Sequence, residues 1–312
     1  MKYYLGIDIG GATIKAMCIT VRGRVLSEAN CPTESQRGGI AVCDNIAALC
    51  EKVRSGIEGE LSGVGVGCPG MINAQTGTVK FAGNLNLRDF PLGEELKKRL
   101  GTEVRMTNDA NAAALGEARF GAGKHHKNSI LVTLGTGVGG GIILNGKLFE
   151  GNMSAGAEIG HMVIETNGDK CTCGRRGCFE VYSSATALMR RTRNAMEAAK
   201  NSAMWGKYTS RDCTGRTAFD FMESDAAAKE VVDWYIKYLG CGLVNLANIF
   251  RPEVIMLGGG VAAQGEKLTK PLQEIMDKKI FGGNDYARVE VVTASLGNKA
   301  GCLGAAALAM NK

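Results

Sequence analysis

Apolar positions in the first third of the chain fall in short runs that are broken by glycines. Residues 2–33 alternate apolar runs with glycine turns at positions 10, 11 and 23, which predicts a three-stranded antiparallel meander. The segments that follow predict a helix over 40–57, a buried strand over 63–70, a helix over 93–100, a strand over 103–108 and a helix over 109–120. This order of elements indicates an α/β domain.

The same pattern starts again after Lys127. Residues 128–151, NSILVTLGTGVGGGIILNGKLFEG, predict a strand, a glycine turn, a second strand, an Asn145-Gly146 hairpin turn and a third strand. The later segments predict helices over 183–200 and 225–249, a strand over 253–260, a helix over 265–281, a strand over 288–295 and a helix over 299–311. Because a glycine-bearing hairpin is used twice, we expect two related lobes.

Composition narrows the class of protein. A chain of 312 residues is long enough for two domains, and an apolar fraction of 45% with a charged fraction of 22% is typical of globular proteins. No apolar run approaches the roughly 18 residues of a membrane span, and no secretory signal is recognisable, so we expect a cytoplasmic protein without a membrane partner. The eleven cysteines favour a reducing compartment over a disulfide framework.

The charge distribution does not favour a nucleic-acid partner. The net charge is +6, and the tight basic cluster Arg190, Arg191 and Arg193 lies in a predicted helix. A solvated helix face explains this cluster better than a nucleic-acid surface does. An anionic small molecule is equally compatible with the net charge.

Three glycine loops are candidates for phosphate binding. The loop LGTGVGG matches the GxGxxG dinucleotide fingerprint, but a strand follows it where that fingerprint requires a helix, and the chain has no GKS or GKT of a P-loop. Consecutive backbone N–H groups in a glycine turn still converge on an anion. Asp8 precedes the first turn as a carboxylate for Mg²⁺, and a third loop, LGGG at 257–260, lies between a strand and a helix. Together the loops predict a nucleotide site.

Asn108 and Asp109 stand where a predicted strand ends and a helix begins. Two interpretations of this pair stay open from the residues alone. Either side chain is a good N-cap that accepts backbone N–H bonds. A carboxylate at a strand end beside phosphate loops is also placed to act as general base for a substrate hydroxyl.

Residues 161–180, HMVIETNGDKCTCGRRGCFE, predict a metal site. The spacing of Cys171, Cys173 and Cys178 differs from a CxxC redox pair, and the segment is too polar and glycine-rich for buried apolar cysteines. With His161 as the fourth ligand, a Cys₃His zinc site fits best. Four protein ligands leave no open tetrahedral position, so the predicted Zn²⁺ is structural.

Seven motifs share their order and spacing with one family of proteins. They are DIGGATIK at 8–15, GVGCPG at 65–70, NDANAAALGE at 108–117, LGTGVGGG at 134–141, EIGH at 158–161, CTCGRRGCFE at 171–180 and LGGG at 257–260. In this the chain resembles the ROK family of sugar kinases and sugar-responsive repressors, within the actin-like, hexokinase-type (ribonuclease H-like) ATPase superfamily. The resemblance implies an α/β fold with two lobes around a cleft. We expect a small lobe of residues 1–120 plus a C-terminal helix at 298–312, and a large lobe of residues 121–297 with a zinc module at 161–180.

The resemblance also implies residue roles. Asp109 would be the general base, Asn84 and Asn108 would contact the sugar, and Glu158, His161 and Glu180 match further sugar contacts. ATP with Mg²⁺ would be bound by Asp8, Gly10, Gly11, Ala12, Thr13, Gly135, Thr136, Gly137, Gly258 and Gly259.

Two positions depart from the family pattern. The first loop usually contains DxGGT, and Ala12 stands in place of its threonine. The hydroxyl is therefore either absent or supplied by Thr13 through a shifted hairpin. The segment around Asn84 resembles the glucokinase branch, although Leu87 stands where that branch often has tryptophan.

The resemblance implies an ATP-dependent hexose kinase that phosphorylates the 6-hydroxyl of glucose. An N-acetylhexosamine kinase, or another hexose kinase of the family, is the alternative within the same machinery. A sugar-sensing repressor is disfavoured, because Asp8 leaves no room for a winged helix ahead of the first loop. The expected partners are a small-molecule sugar, a nucleotide and, from the family alone, a second copy in a homodimer.

Overall fold

The computed structural model describes residues 1–310. Residues 311 and 312, which end the predicted helix over 299–311 and the predicted lobe segment 298–312, lie outside the described residues. The strands are β1 (Lys2–Ile9), β2 (Thr13–Thr20), β3 (Val25–Pro32), β4 (Glu60–Cys68), β5 (Met71–Asn73), β6 (Thr78–Ala82), β7 (Leu87–Phe90), β8 (Val104–Asn108), β9 (Ser129–Leu134), β10 (Val138–Leu144), β11 (Lys147–Phe149), β12 (Val254–Gly258) and β13 (Glu290–Thr293). The α-helices are α1 (Gly39–Arg54), α2 (Leu92–Leu100), α3 (Asp109–Phe120), α4 (Glu180–Ser183), α5 (Ala185–Ala198), α6 (Thr217–Phe221), α7 (Ala226–Phe250), α8 (Glu266–Lys279) and α9 (Ala300–Met310).

The chain forms two compact units. The first contains Met1–Lys127, Gly141–Ala157 and the described residues from Ser295 onward, and the second contains Asn128–Gly140 and Glu158–Ala294. The division falls within β10. The predicted lobe boundaries after residues 120 and 297 stay a prediction.

The two five-stranded sheets have the same strand order. The first runs β3-β2-β1-β4-β8, and the second runs β11-β10-β9-β12-β13. In the first sheet, β1–β2 and β2–β3 are antiparallel, whereas β1–β4 and β4–β8 are parallel. In the second, β12 is parallel to both β9 and β13, and β10 and β11 form a hairpin through Asn145-Gly146. Both predicted meanders and the repeat of one architectural unit are confirmed.

Helices cover both faces of the first sheet. Successive side chains of β1 point to opposite faces, so the strand contacts a helix on each side. Leu5 and Ile7 belong to the core that includes Ile46 of α1. Gly6 faces α9 instead, and a Cβ on it would lie 1.9 Å from the Cys302 carbonyl oxygen. A Cβ on Gly304 of α9 would similarly come within 1.6 Å of a carbonyl oxygen of α3. The glycines thus allow α9 to pack backbone against backbone.

A small antiparallel sheet, β5-β6-β7, follows the carboxyl end of β4 in the first unit. No periodic pattern in the sequence predicts this sheet. Its strands have only three to five residues. Met71 and Phe81 are about half exposed, so the sheet has little of the buried alternation that marks longer strands.

The long helix α7 is the centre of the second unit's core. Asp225 is its N-cap and accepts a hydrogen bond from the Ala228 N–H at 2.9 Å. Its buried Tyr235 donates from the hydroxyl to the Ser183 carbonyl at 2.6 Å. The buried Phe179 ring fills the space beside Gly242. These contacts hold the segment that contains the predicted metal ligands against α7. Among residues 1–310, no helix is long and apolar enough to cross a membrane.

Candidate functional site

The first glycine turn joins β1 to β2 in an antiparallel register that is unshifted up to the turn. The Gly10 N–H donates to the Thr13 carbonyl at 2.9 Å, so Gly11 and Ala12 form a two-residue tip. Thr13 is the first residue of β2. The hairpin is not shifted, so the register favours the interpretation in which the threonine hydroxyl of the family motif is absent rather than supplied by Thr13.

Thr33, which the sequence patterns did not single out, holds this turn in place. Its hydroxyl donates to the Gly10 carbonyl at 2.7 Å, and its N–H donates to the Ala12 carbonyl at 3.0 Å. The Thr33 side chain is fully buried. No local signal could have identified it, because its partners lie two strands earlier in the meander.

Asp8 lies near the carboxyl end of β1, with Lys15 opposite on β2. A Cβ on Gly301, in the first turn of α9, would lie 2.6 Å from the Asp8 carboxyl carbon, so the carboxylate sits directly over that helix turn. Burial, followed by the nearby Asp109 carboxylate, raises the pKa of Asp8 to about 6, and Lys15 opposes this shift. A bound cation would stabilise the charged form of such a carboxylate.

Asn108 and Asp109 divide the two roles that the sequence left open. Asn108 is the N-cap of α3, accepting from the Ala110 N–H at 2.8 Å and donating from its amide to the Gly70 carbonyl at 3.0 Å. Asp109 is the first residue of the helix, and its carboxylate also accepts from the Ala110 N–H, at 2.9 Å. Burial raises the pKa of Asp109 above its ordinary value, although these hydrogen bonds oppose the shift. Asn108 therefore caps α3, and the Asp109 carboxylate is not needed as the helix cap.

The parallel strands β1, β4 and β8 bring Asp8 and Asp109 to one edge of the sheet. A Cβ on Gly67 of β4 would lie 3.6 Å from the Asp109 Cα and 3.9 Å from an Asp8 carboxylate oxygen, so the two acidic residues flank this glycine. Asn84 packs against the first turn, because a Cβ on Gly11 would lie 3.4 Å from the Asn84 Cβ. The first unit thus contains the predicted base, the predicted sugar contacts Asn84 and Asn108, and the first glycine turn.

The second and third glycine loops are neighbours in the second unit. The Gly135 N–H donates to the Gly137 carbonyl at 3.0 Å, closing the second loop between β9 and β10. The third loop follows β12, where Gly258 pairs with Thr133 of β9. Gly259 has φ +83°, and a Cβ there would lie 2.5 Å from the Leu134 carbonyl oxygen. Both loops therefore lie at the carboxyl ends of adjacent parallel strands, which is where open α/β sheets place ligands.

Three cysteines and one histidine in the second unit form a cluster suited to a metal ion. The ligand atoms of His161, Cys171, Cys173 and Cys178 all lie within 4.8 Å of one another. The Cys173 and Cys178 sulfurs are 3.7 Å apart, and the Cys171 sulfur lies 3.7 Å from His161 Nδ1. With Zn–S of about 2.3 Å and Zn–N of about 2.0–2.1 Å, the edges of a tetrahedral site are roughly 3.6–3.8 Å. The cluster can hold zinc without rearrangement of these pairs.

Glu180 and Glu158 lie close to the metal cluster in sequence. One carboxylate oxygen of Glu180 lies 3.8 Å from the Cys171 sulfur, and the other accepts from the Val138 N–H at 3.1 Å. Glu158 is exposed, and its carbonyl accepts from the His161 N–H at 3.1 Å. Glu180 is thus placed between the metal cluster and the second glycine loop, a position that sequence alone did not reveal.

Comparison with known proteins establishes the family. The ROK family model matches residues 4–312, and the chain therefore belongs to the ROK family. It is 39% identical over 313 residues to a glucokinase of Halalkalibacterium halodurans, covering 97% of this chain and 93% of that protein. A ROK family glucokinase of Streptomyces griseus, solved in complex with glucose and AMPPNP, is 35% identical with a TM-score of 0.83, covering 99% of this chain and all of that one. A ROK hexokinase of Thermus thermophilus is 32% identical with a TM-score of 0.85, covering 99% and 98% of the two chains.

The same comparison includes the repressor branch. The xylose repressor of Bacillus subtilis is 29% identical over 314 residues, which cover 99% of this chain and 77% of that protein. The kinases are thus the more similar relatives. The predicted actin-like, hexokinase-type α/β fold is confirmed.

Proposed function

We propose that this chain is an ATP-dependent glucokinase, which transfers the γ-phosphoryl group of ATP to the 6-hydroxyl of glucose. The observation that carries the proposal is the pair Asp8 and Asp109, flanking Gly67 at one sheet edge beside the first glycine turn. Phosphoryl transfer requires positioning, charge neutralisation and a group that accepts the hydroxyl proton. The similarity to kinases named for glucose supports the choice of sugar.

Asp109 is the proposed general base. Its raised pKa, which burial causes, makes the carboxylate a better proton acceptor than an exposed aspartate. Asn108 fixes the first turn of α3, and its amide is held by the Gly70 carbonyl. The hydroxyl proton would pass to the Asp109 carboxylate as the oxygen attacks phosphorus.

The phosphate groups would be bound by backbone N–H groups of the glycine turns. The Gly10 and Gly135 N–H groups already donate within their own turns. The proposed phosphate donors therefore belong to residues 11–13 in the first unit, and to residues 136–137 and 258–259 in the second unit. Asp8 is the proposed carboxylate for Mg²⁺, which would neutralise charge on the phosphates. A buried carboxylate with a raised pKa fits this role, because a divalent cation compensates the cost of its burial.

Sugar specificity is proposed to come from residues of each unit. In the first unit, Asn84 and Asn108 would contact the sugar together with Asp109. In the second unit, the sugar contacts would be Glu158, His161 and Glu180. Directed donors and acceptors discriminate among polyols because a competitor that lacks a hydroxyl leaves buried polar groups unpaired.

The four-ligand cluster is proposed to bind structural Zn²⁺. Three thiolates and one imidazole complete a tetrahedral shell, so a bound zinc would have no position for substrate. Its contribution would be to fix His161 and the chain that leads to Glu180. A zinc-bound imidazole usually gives its second N–H to an acceptor that orients the ring, and a sugar oxygen would serve here.

A coupled assay of ADP formation tests the proposal. Purified protein is supplied with ATP, Mg²⁺ and, in turn, glucose, mannose, fructose, allose, N-acetylglucosamine or N-acetylmannosamine. We expect the highest kcat/KM with glucose. A preference for an N-acetylhexosamine would replace the sugar but retain the mechanism. Sugar binding by calorimetry without turnover of any sugar would contradict a kinase and favour a sensing role. Sedimentation of the same sample tests the expected homodimer.

A further inference from the structure

The segment that follows the last cysteine ligand is bonded to the second glycine loop at three points. Glu180 accepts from the Val138 N–H at 3.1 Å. The Ala185 N–H donates to the Gly135 carbonyl at 2.9 Å. The Thr186 hydroxyl donates to the Thr136 carbonyl at 2.8 Å. A segment of seven residues, 180–186, therefore contacts the loop from its first glycine to the first residue of β10.

The remaining loop residue, Gly137, packs directly against the Glu180 carboxylate. A Cβ on Gly137 would lie 2.2 Å from a carboxylate oxygen of Glu180, closer than any side chain permits. The other oxygen of the same carboxylate lies 3.8 Å from the Cys171 sulfur. One side chain thus spans the distance from a proposed metal ligand to the loop.

A loop of this composition does not hold one conformation by itself. Gly135 and Gly137 have no side chains to restrict the backbone, so bonds from outside the loop add order to the single internal bond from the Gly135 N–H to the Gly137 carbonyl. The three external bonds come from one segment, which starts two residues after Cys178. Its position depends on α4 and on the cluster that precedes it.

We infer that Glu180 and Thr186 are positioning residues for the second glycine loop, and that the metal cluster acts through Glu180 on nucleotide binding as well as on sugar binding. The inference rests on the proposed function in assigning phosphate to this loop and a sugar contact to Glu180. A carboxylate has several acceptor sites, so Glu180 can hold the Val138 N–H and still accept a sugar hydroxyl. The cluster would then affect the binding of both nucleotide and sugar through the Glu180 side chain.

Amide hydrogen exchange at Val138 tests the link without any assay of activity. In the zinc-loaded protein, Glu180→Ala should raise the exchange rate of this amide about tenfold, and Glu180→Gln should restore part of the protection because its side-chain oxygen can accept. Removing zinc with a chelator should produce the same increase. The Gly10 amide, which donates to Thr13 in the other glycine turn, is the internal reference. Unchanged exchange at Val138 in Glu180→Ala would overturn the inference.

Binding of nucleotide to two threonine variants tests the consequence for nucleotide affinity. Thr186→Val removes the 2.8 Å bond from an exposed hydroxyl to the loop, whereas Thr192→Val removes a bond of the same length from a buried hydroxyl to the Leu188 carbonyl within α5. Without sugar, Thr186→Val should weaken binding of AMPPNP with Mg²⁺ about three- to tenfold by calorimetry, and Thr192→Val should not. Equal affinities in the two variants would contradict the inference. If the wild type binds no AMPPNP, the proposed kinase function fails, while the exchange result still decides the link.

Discussion

The Glu117 carboxylate accepts a hydrogen bond from the Leu296 N–H at 2.7 Å, across 179 positions of sequence. It also accepts from the Ala122 N–H and from both the N–H and the hydroxyl of Ser295. Glu117 is fully buried near the end of α3, and its partners at 295–296 precede α9. The Glu117 carboxylate therefore links α3, which starts with Asp109, to the segment before α9, the helix that packs against Asp8.

Replacing Glu117 by glutamine should lower stability. Both carboxylate oxygens accept N–H donors, so either orientation of an amide places an NH₂ group against a backbone N–H. We expect the free energy of unfolding to fall by about 1–3 kcal/mol, measured by urea denaturation. Glu103→Gln, at a highly exposed side chain, is the control and should change stability by less than about 1 kcal/mol. A stability loss no larger than that of the control would show that the four bonds contribute little.

Asp109→Asn should remove catalysis and leave the fold intact. A lost general base lowers kcat by about 10²–10⁴-fold, whereas Asn108 still caps α3. Because the pKa of Asp109 is raised in the folded state, its protonated carboxyl group favours folding at low pH, and this contribution is lost as pH rises through the folded-state pKa. At pH 7 the variant should therefore melt at or above the wild-type temperature. Asp44→Asn, on the exposed face of α1, serves as the control for kcat. Turnover within tenfold of wild type would remove Asp109 as the base.

Activity should fall on the acid side at a higher pH than an ordinary aspartate would give. Catalysis needs the charged form of Asp109, and burial raises its pKa above the ordinary value of 3.8. The kcat/KM for glucose should decline as pH falls through that raised pKa. A pH–rate profile at saturating Mg²⁺, from about pH 4 to pH 8, measures the midpoint. Constant kcat/KM down to pH 4 would contradict the role of Asp109.

Local patterns predicted most of the fold because the relevant signals lie within a few residues. The Asn145-Gly146 turn fixes the β10–β11 hairpin, and the start of α3 follows from the cap at Asn108. The sequence pattern does not predict the β5-β6-β7 sheet, because its strands are short and only some of their side chains are buried. Ile72 and Val79 are buried in it, whereas Phe81 is half exposed.

Sequence alone indicates a metal site where one short segment supplies all of the ligands. The cysteine and histidine ligands fall within 161–180, so their spacing indicated a metal cluster, which the geometry supports. The supports of the glycine turns come from distant parts of the chain. Glu180 and Val138 are 42 positions apart, and Thr33 lies 23 positions from Gly10. No periodic pattern links such residues, because their contacts depend on the completed sheets.

Cys178→Ser should abolish binding of the proposed Zn²⁺ and destabilise the second unit. The buried Cys178 sulfur lies 3.7 Å from Cys173, and serine is a poor ligand for zinc. We expect about one zinc per wild-type chain by plasma mass spectrometry and a large deficit in the variant, with a melting temperature lower by several degrees. Cys241→Ser, at a half-buried cysteine outside the cluster, should retain the metal. Full zinc occupancy in Cys178→Ser would show that the cluster is not a four-ligand site.

Ala12→Thr should strengthen ATP binding by restoring the hydroxyl that the family motif normally offers. The side chain at position 12 is exposed at the tip of the β1–β2 turn, while its carbonyl already accepts from the Thr33 N–H, so a threonine fits without disturbing the hairpin. One neutral hydrogen bond contributes about 0.5–1.5 kcal/mol, or roughly two- to tenfold in the KM for ATP, and the KM for glucose should not change. Thr13→Val tests the alternative source of the hydroxyl. If Ala12→Thr has no effect and Thr13→Val raises the KM for ATP, then Thr13 supplies that hydroxyl from the first position of β2.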